Sequence, residues 1–86
     1  MKLGNKKSER WSQDWRKVGR KKGYVAEICY NDHYNEFFFL LSKGDYRFNS
    51  LWKDMKYNSE EECLAACEEY IDTLAKGEKD GKAQGK

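Results

Sequence analysis

From Tyr24 to Tyr30 side chains alternate along the chain, placing Tyr24, Ala26, Ile28 and Tyr30 on one face of a strand and Val25, Glu27 and Cys29 on the other. The next stretch, Asn31-Asp32-His33-Tyr34-Asn35, is rich in turn formers and reads as a hairpin loop. A second strand is expected from Glu36 to Ser42, with Phe37, Phe39 and Leu41 on one face and Phe38 and Leu40 on the other. Both faces are apolar, so this strand should be central and at least partly covered on both sides. Lys43-Gly44-Asp45 gives a tight turn, and Tyr46-Arg47-Phe48 resumes the alternation as a third strand. Asn49-Ser50 interrupts it. Leu51 to Tyr57 fits either a fourth short strand or an aromatic loop carrying Trp52, Met55 and Tyr57.

The period then changes from two to 3.6. Ser59 is an N-cap and Glu62, three residues on, completes a capping box, with Glu60, Glu61 and Glu62 suited to the positive end of the helix dipole. Cys63, Leu64, Cys67, Tyr70, Ile71 and Leu74 form the buried stripe, and Glu61, Ala65, Glu68, Glu69 and Asp72 the solvent face. Gly77 is expected to end the helix and residues 76–86 to form a disordered polar tail. Before the strands, Ser8 can cap a short helix to Val18, since Trp11, Trp15 and Val18 share a face at i, i+4, i+7, with Gly19 as its stop. The expected fold is α+β: a three-stranded, or four-stranded, antiparallel sheet packed by a C-terminal amphipathic helix, with a short N-terminal helix or arm, (α)βββα. Residues 1–22 are the arm, 23–75 the βββα domain and 76–86 the tail.

Gly23-Tyr24-Val25-Ala26-Glu27-Ile28, with Tyr57-Asn58-Ser59-Glu60-Glu61-Glu62-Cys63-Leu64-Ala65-Ala66, resembles the first strand and helix start of AP2-type and integrase-arm DNA-binding domains. That resemblance covers 16 residues and implies three antiparallel strands on one helix, with the sheet reading the major groove. The helix–strands–helix order is also similar to double-stranded-RNA-binding domains, whose basic second-helix start is replaced here by Glu60-Glu61-Glu62. Both likenesses are at the level of fold.

Length changes this picture little: 86 residues hold one domain, and its small core leans on caps and aromatic packing. Charged residues make up 37% of the chain, but 15% aromatics argue against full disorder. The longest apolar run, Phe37 to Leu41, is far too short to span a bilayer, and the N-terminal stretch has no apolar signal core. The chain is therefore expected to be cytoplasmic, without a membrane partner. An odd cysteine count, Cys29, Cys63 and Cys67, fits a reducing compartment better than a secreted disulfide scaffold.

Charge changes the picture more. Residues 1–22 carry nine Lys/Arg against Glu9 and Asp14, a net of +7, and residues 23–86 carry eight against thirteen Asp/Glu, a net of −5. Lys6, Lys7, Arg10, Arg16, Lys17, Arg20, Lys21 and Lys22 interleave with Trp11 and Trp15, the residue types that neutralise phosphates and stack on bases. The alternative for the tryptophans is docking on the sheet. Cys29-x3-His33 and Cys63-x3-Cys67 supply four zinc-type ligands, but in helical register Cys63 and Cys67 fall on the buried stripe, so free thiols and no metal are expected. The acidic residues Glu60, Glu61, Glu62, Glu68, Glu69 and Asp72 can bind metal, mimic phosphates or form a solvated face. One histidine, no glycine-rich phosphate loop and no nucleophile motif make an enzyme or a cofactor site unexpected. Two functions stay open. One is a regulatory nucleic-acid-binding module using the basic arm and one sheet face. The other is a protein-interaction factor, such as a phage-type modulator of a host or partner protein, using Phe38, Tyr46, Trp52 and Tyr57 with the acidic helix. Either could act as a monomer or a homodimer.

Overall fold

The computed structural model describes residues 1–8 and 14–83, with side chains to Gly77. Five strands run in sequence order across one antiparallel meander: β1 (Lys7–Ser8), β2 (Trp15–Lys21), β3 (Tyr24–Asn31), β4 (Glu36–Lys43) and β5 (Tyr46–Asn49). A short 3-10 turn (Ser50–Lys53) follows, and helix α1 (Glu60–Ala83) packs on one face of the sheet. The α+β class and the C-terminal helix are as expected, but the sheet has five strands where three or four were expected.

The N-terminal helix is the main correction. Trp15 to Lys21 is a strand paired along its full length with β3, from Trp15↔Tyr30 to Lys21↔Tyr24. Its residues also alternate: Trp15, Lys17, Gly19 and Lys21 share the helix side with Tyr30, Ile28, Ala26 and Tyr24, and Arg16, Val18 and Arg20 point the other way. Lys22 and Gly23 close the β2–β3 hairpin with φ of 51° and 86°, both positive, as a type I′ turn requires. Only the part of the expected helix that falls on residues 9–13 lies outside the described residues. Gly19 is no helix stop. The first residues of the chain cross β2 directly over it, and a Cβ there would meet Lys2 O at 2.8 Å and Met1 Cγ at 2.9 Å.

The core lies between sheet and helix. Tyr24, Ala26, Ile28, Phe39, Leu41 and Phe48 meet Cys63, Cys67 and Ile71, flanked by partly buried Met1, Leu3, Tyr57, Tyr70 and Leu74. Both predicted strand faces are therefore correct for β3 and β4. Ser59 caps α1 by accepting from Glu62 N at 3.1 Å, and the Glu62 carboxylate accepts from Asn58 N at 3.1 Å, one residue earlier than in the usual capping box. Gly77 does not end α1, which continues to Ala83, so most of the expected tail is helical. The ambiguous Leu51–Tyr57 stretch is neither strand nor plain loop. It begins in the 3-10 turn and ends in a single bridge, with Tyr57 and Phe37 exchanging backbone hydrogen bonds of 2.9 Å. Among the described residues no helix is long and apolar enough to cross a membrane.

Candidate nucleic-acid interface on the open sheet face

The sheet divides the cations of the N-terminal segment between its two faces. On the helix side they meet carboxylates. Lys17 Nζ lies 2.9 Å from Glu60 Oε2, and Lys21 and Lys22 lie 3.2 and 3.1 Å from Asp72 Oδ1. The Met1 amino group pairs with Glu68. Glu60, Glu68 and Asp72 thus form a stripe of α1 that faces the edge of the sheet. Glu68 and Asp72 are paired rather than free on the solvent face, and Glu61, Glu62 and Glu69 are the exposed members of the acidic set. Hydrogen bonds from Lys22 and Lys21 hold the Asp72 carboxyl below its usual range.

Trp15 is docked. Its ring stacks on Tyr30 at 5.8 Å and meets Phe37 edge-on at 5.8 Å, and Lys6 and Lys17 Nζ each stand 5.3 Å from the indole centre. It lies at the start of β2, partly buried against Tyr30 and Phe37, and also lines the shallow groove with Lys7 and Arg16. Arg10 and Trp11 lie outside the described residues.

The other face of the sheet carries no helix among the described residues. Strand register arranges it in three rows: Lys7–Arg16–Cys29–Phe38, Val18–Glu27–Leu40–Asn49, and Arg20–Val25–Ser42–Arg47. In the first row, Arg16 Nε lies 3.4 Å from Glu27 Oε1, and Asp14 and Glu27 line the same shallow groove as Lys7 and Arg16. The third row differs. Arg20 makes no ion pair among the described residues. Arg47 donates to the carbonyls of Gly44 and Tyr46 at 2.6 and 2.7 Å, which fixes its guanidinium without neutralising it. Two uncompensated arginines therefore end one row, three strand spacings or about 14 Å apart, with the Ser42 hydroxyl between them.

A second groove, about 240 Å³, opens beside this row. Leu40, Ser42, Arg47, Asn49 and Trp52 line it, with Glu27 at its far side. Trp52 is 68% exposed and touches Phe48 edge-on at 6.1 Å. The backbone beneath it is held firmly. Asn49 Oδ1 accepts from Leu51 N at 2.9 Å, and Asp54 closes the turn in the left-handed region with φ of 57°. Buried Ser50 accepts from Phe39 N at 3.0 Å and donates to Met55 O at 2.9 Å.

The four aromatics expected to share an interface do not share one. Phe38 and Trp52 border the open face. Tyr46 lies on the helix side, edge-on to Tyr24 at 6.0 Å, and Tyr57 stacks on Phe39 at 6.2 Å. Nor does the zinc-type set gather. Cys63 and Cys67 are core residues of α1, Cys29 lies on the opposite face of the sheet, and His33 sits in the exposed β3–β4 loop against Tyr34 at 4.6 Å. Among the described residues no three His, Cys, Asp or Glu side chains come together as a metal site. All three cysteines are free thiols. Burial pushes Cys29 and Cys67 up to about 12 and raises Cys63 as well, so none is a ready thiolate.

Sequence reasoning missed Arg47, Ser42 and Asn49 as site residues. A signal for Arg47 was present. Its apolar neighbour Phe48 belongs to the core, so alternation sends Arg47 to the face opposite. The strand and helix start that resemble AP2-type and integrase-arm domains are present as the beginnings of β3 and α1, but β1 and β2 precede them. No protein-family model matches this chain, and no curated protein or solved structure is significantly similar to it.

Proposed function

We propose that the chain is a small non-enzymatic binding module that holds nucleic acid on its open sheet face. Phosphates attract cations that have no protein carboxylate to satisfy them, because neutralising a phosphate releases its condensed counterions. The observation that carries this reading is the contrast between the two faces. Lys17, Lys21 and Lys22 pair with α1, whereas Arg20 and Arg47, at the ends of one row, meet no carboxylate among the described residues. The interface thus shifts away from the arm as a whole to Arg20 and Arg47, with Lys7 at the margin. Backbone contact of this kind is sequence-tolerant, and it needs no catalytic group.

Fluorescence anisotropy with labelled oligonucleotides tests this. Binding is expected at low salt and should weaken steeply as salt rises; no binding at low salt rejects it.

A second reading rests on the apolar residues of the same face, where half-buried Phe38 pairs with Cys29 and half-buried Val18 and Leu40 flank Glu27 in the next row. Such a strip suits a protein partner. Phe38→Asp would abolish capture of that partner and leave oligonucleotide binding in place.

A further inference from the structure

Resting on the nucleic-acid reading, we infer that the ligand is an unpaired strand and that Trp52 stacks on one of its bases. Three observations lead there.

The first is width. The Arg20–Arg47 row spans about 14 Å of sheet and places its two cations in one line across the strands, which the phosphates of one extended strand can follow. A single strand can be laid along the row, its phosphates reaching one arginine after the other.

The second is the indole. An exposed tryptophan on a loose loop would be unremarkable. Trp52 instead sits on a turn fixed by Asn49, Ser50 and Asp54, and stands 68% exposed at the lip of the groove. A stacking platform has this form: its backbone is ordered before the ligand arrives, so little entropy is lost on binding.

The third is the groove floor. Asn49 spends its side-chain oxygen on Leu51 N, which leaves the amide NH2 to donate. With Ser42, Arg47 and the Glu27 carboxylate nearby, the groove offers donors and an acceptor for the exposed edge of a base. The Watson–Crick edge of a base is free for such contacts only when the base is unpaired.

Anisotropy with a labelled 12-nucleotide single strand, the matching 12-base-pair duplex and a single strand carrying abasic positions provides the test. The single strand is expected to bind at least tenfold more tightly than the duplex. Trp52→Ala should cost about tenfold on the single strand, and Trp52→Phe should restore most of it. Abasic substitution should weaken the native protein to the level of Trp52→Ala, with the salt dependence kept. Far-UV circular dichroism checks that the variants fold. Salt-sensitive duplex binding that equals or exceeds single-strand binding overturns this inference and leaves the nucleic-acid reading standing. An inert Trp52→Ala overturns it equally. Failure of every oligonucleotide to bind at low salt defeats both.

Discussion

Lys17 Nζ lies 2.9 Å from Glu60 Oε2 and binds the second strand to the first turn of the helix. In the sequence these residues belong to opposite halves of a charge dipole, and each looks like a group waiting for an outside partner. In the fold each is the other's partner. Asp72 repeats the pattern three turns along α1, where it meets both Lys21 and Lys22.

That arrangement predicts a pH signature. Hydrogen bonds from Lys22 and Lys21 set the folded pKa of Asp72 below its unfolded value, so its contribution is present above the unfolded pKa and lost as pH falls through the folded one. Asp72→Asn should lower the midpoint of thermal unfolding at pH 7. The difference between native and variant should close only as pH falls through the folded pKa of Asp72, below its unfolded value, where the carboxylate becomes protonated in both states. A gap that persists at low pH would show that Asp72 acts through something other than its charge.

Gly19→Ala is expected to destabilise the fold by about 1–3 kcal/mol, because the added methyl must displace the N-terminal segment crossing β2. Urea unfolding measures this. Little loss on adding the methyl would contradict the close crossing of the N-terminal segment over β2.

Ser50 is completely buried, and its hydroxyl serves both Phe39 N and Met55 O. Ser50→Ala leaves two buried backbone groups short of a partner and should cost about 1–3 kcal/mol in the same assay.

Much of this fold can be read from the residues. The faces of β3 and β4 follow from alternation, and the start of α1 follows from Ser59 and Glu62. The second strand could not be read in this way. Trp11, Trp15 and Val18 satisfy helical spacing, and the alternation of Trp15, Lys17, Gly19 and Lys21 puts two lysines on the side facing the core layer. Those lysines are tolerated there only because α1 brings Glu60 and Asp72 to them, a long-range pairing that no local pattern contains. The β2–β3 turn was also hidden, since Lys-Gly stands where Asn-Gly would have announced it. The same pairing decided the candidate site. Until the helix was placed, Lys17, Lys21 and Lys22 were indistinguishable from Arg20.

Thiol reactivity should follow burial. With Cys29 and Cys67 pushed up to about 12 and Cys63 raised too, an aromatic disulfide reagent at pH 8 should label the folded protein slowly and all three cysteines rapidly in denaturant. Fast labelling of one thiol in the folded state would identify a site that opens readily.

The most direct measurement is the salt dependence of oligonucleotide binding for two variant pairs. Arg20→Ala with Arg47→Ala should weaken binding and flatten the slope of log affinity against log salt by about 0.7–0.9 for each phosphate no longer neutralised. Lys17→Ala with Lys21→Ala should lower stability and leave that slope unchanged. The reverse outcome, with the lysine pair flattening the slope and the arginine pair leaving it intact, would contradict the division of cations between the two faces of the sheet.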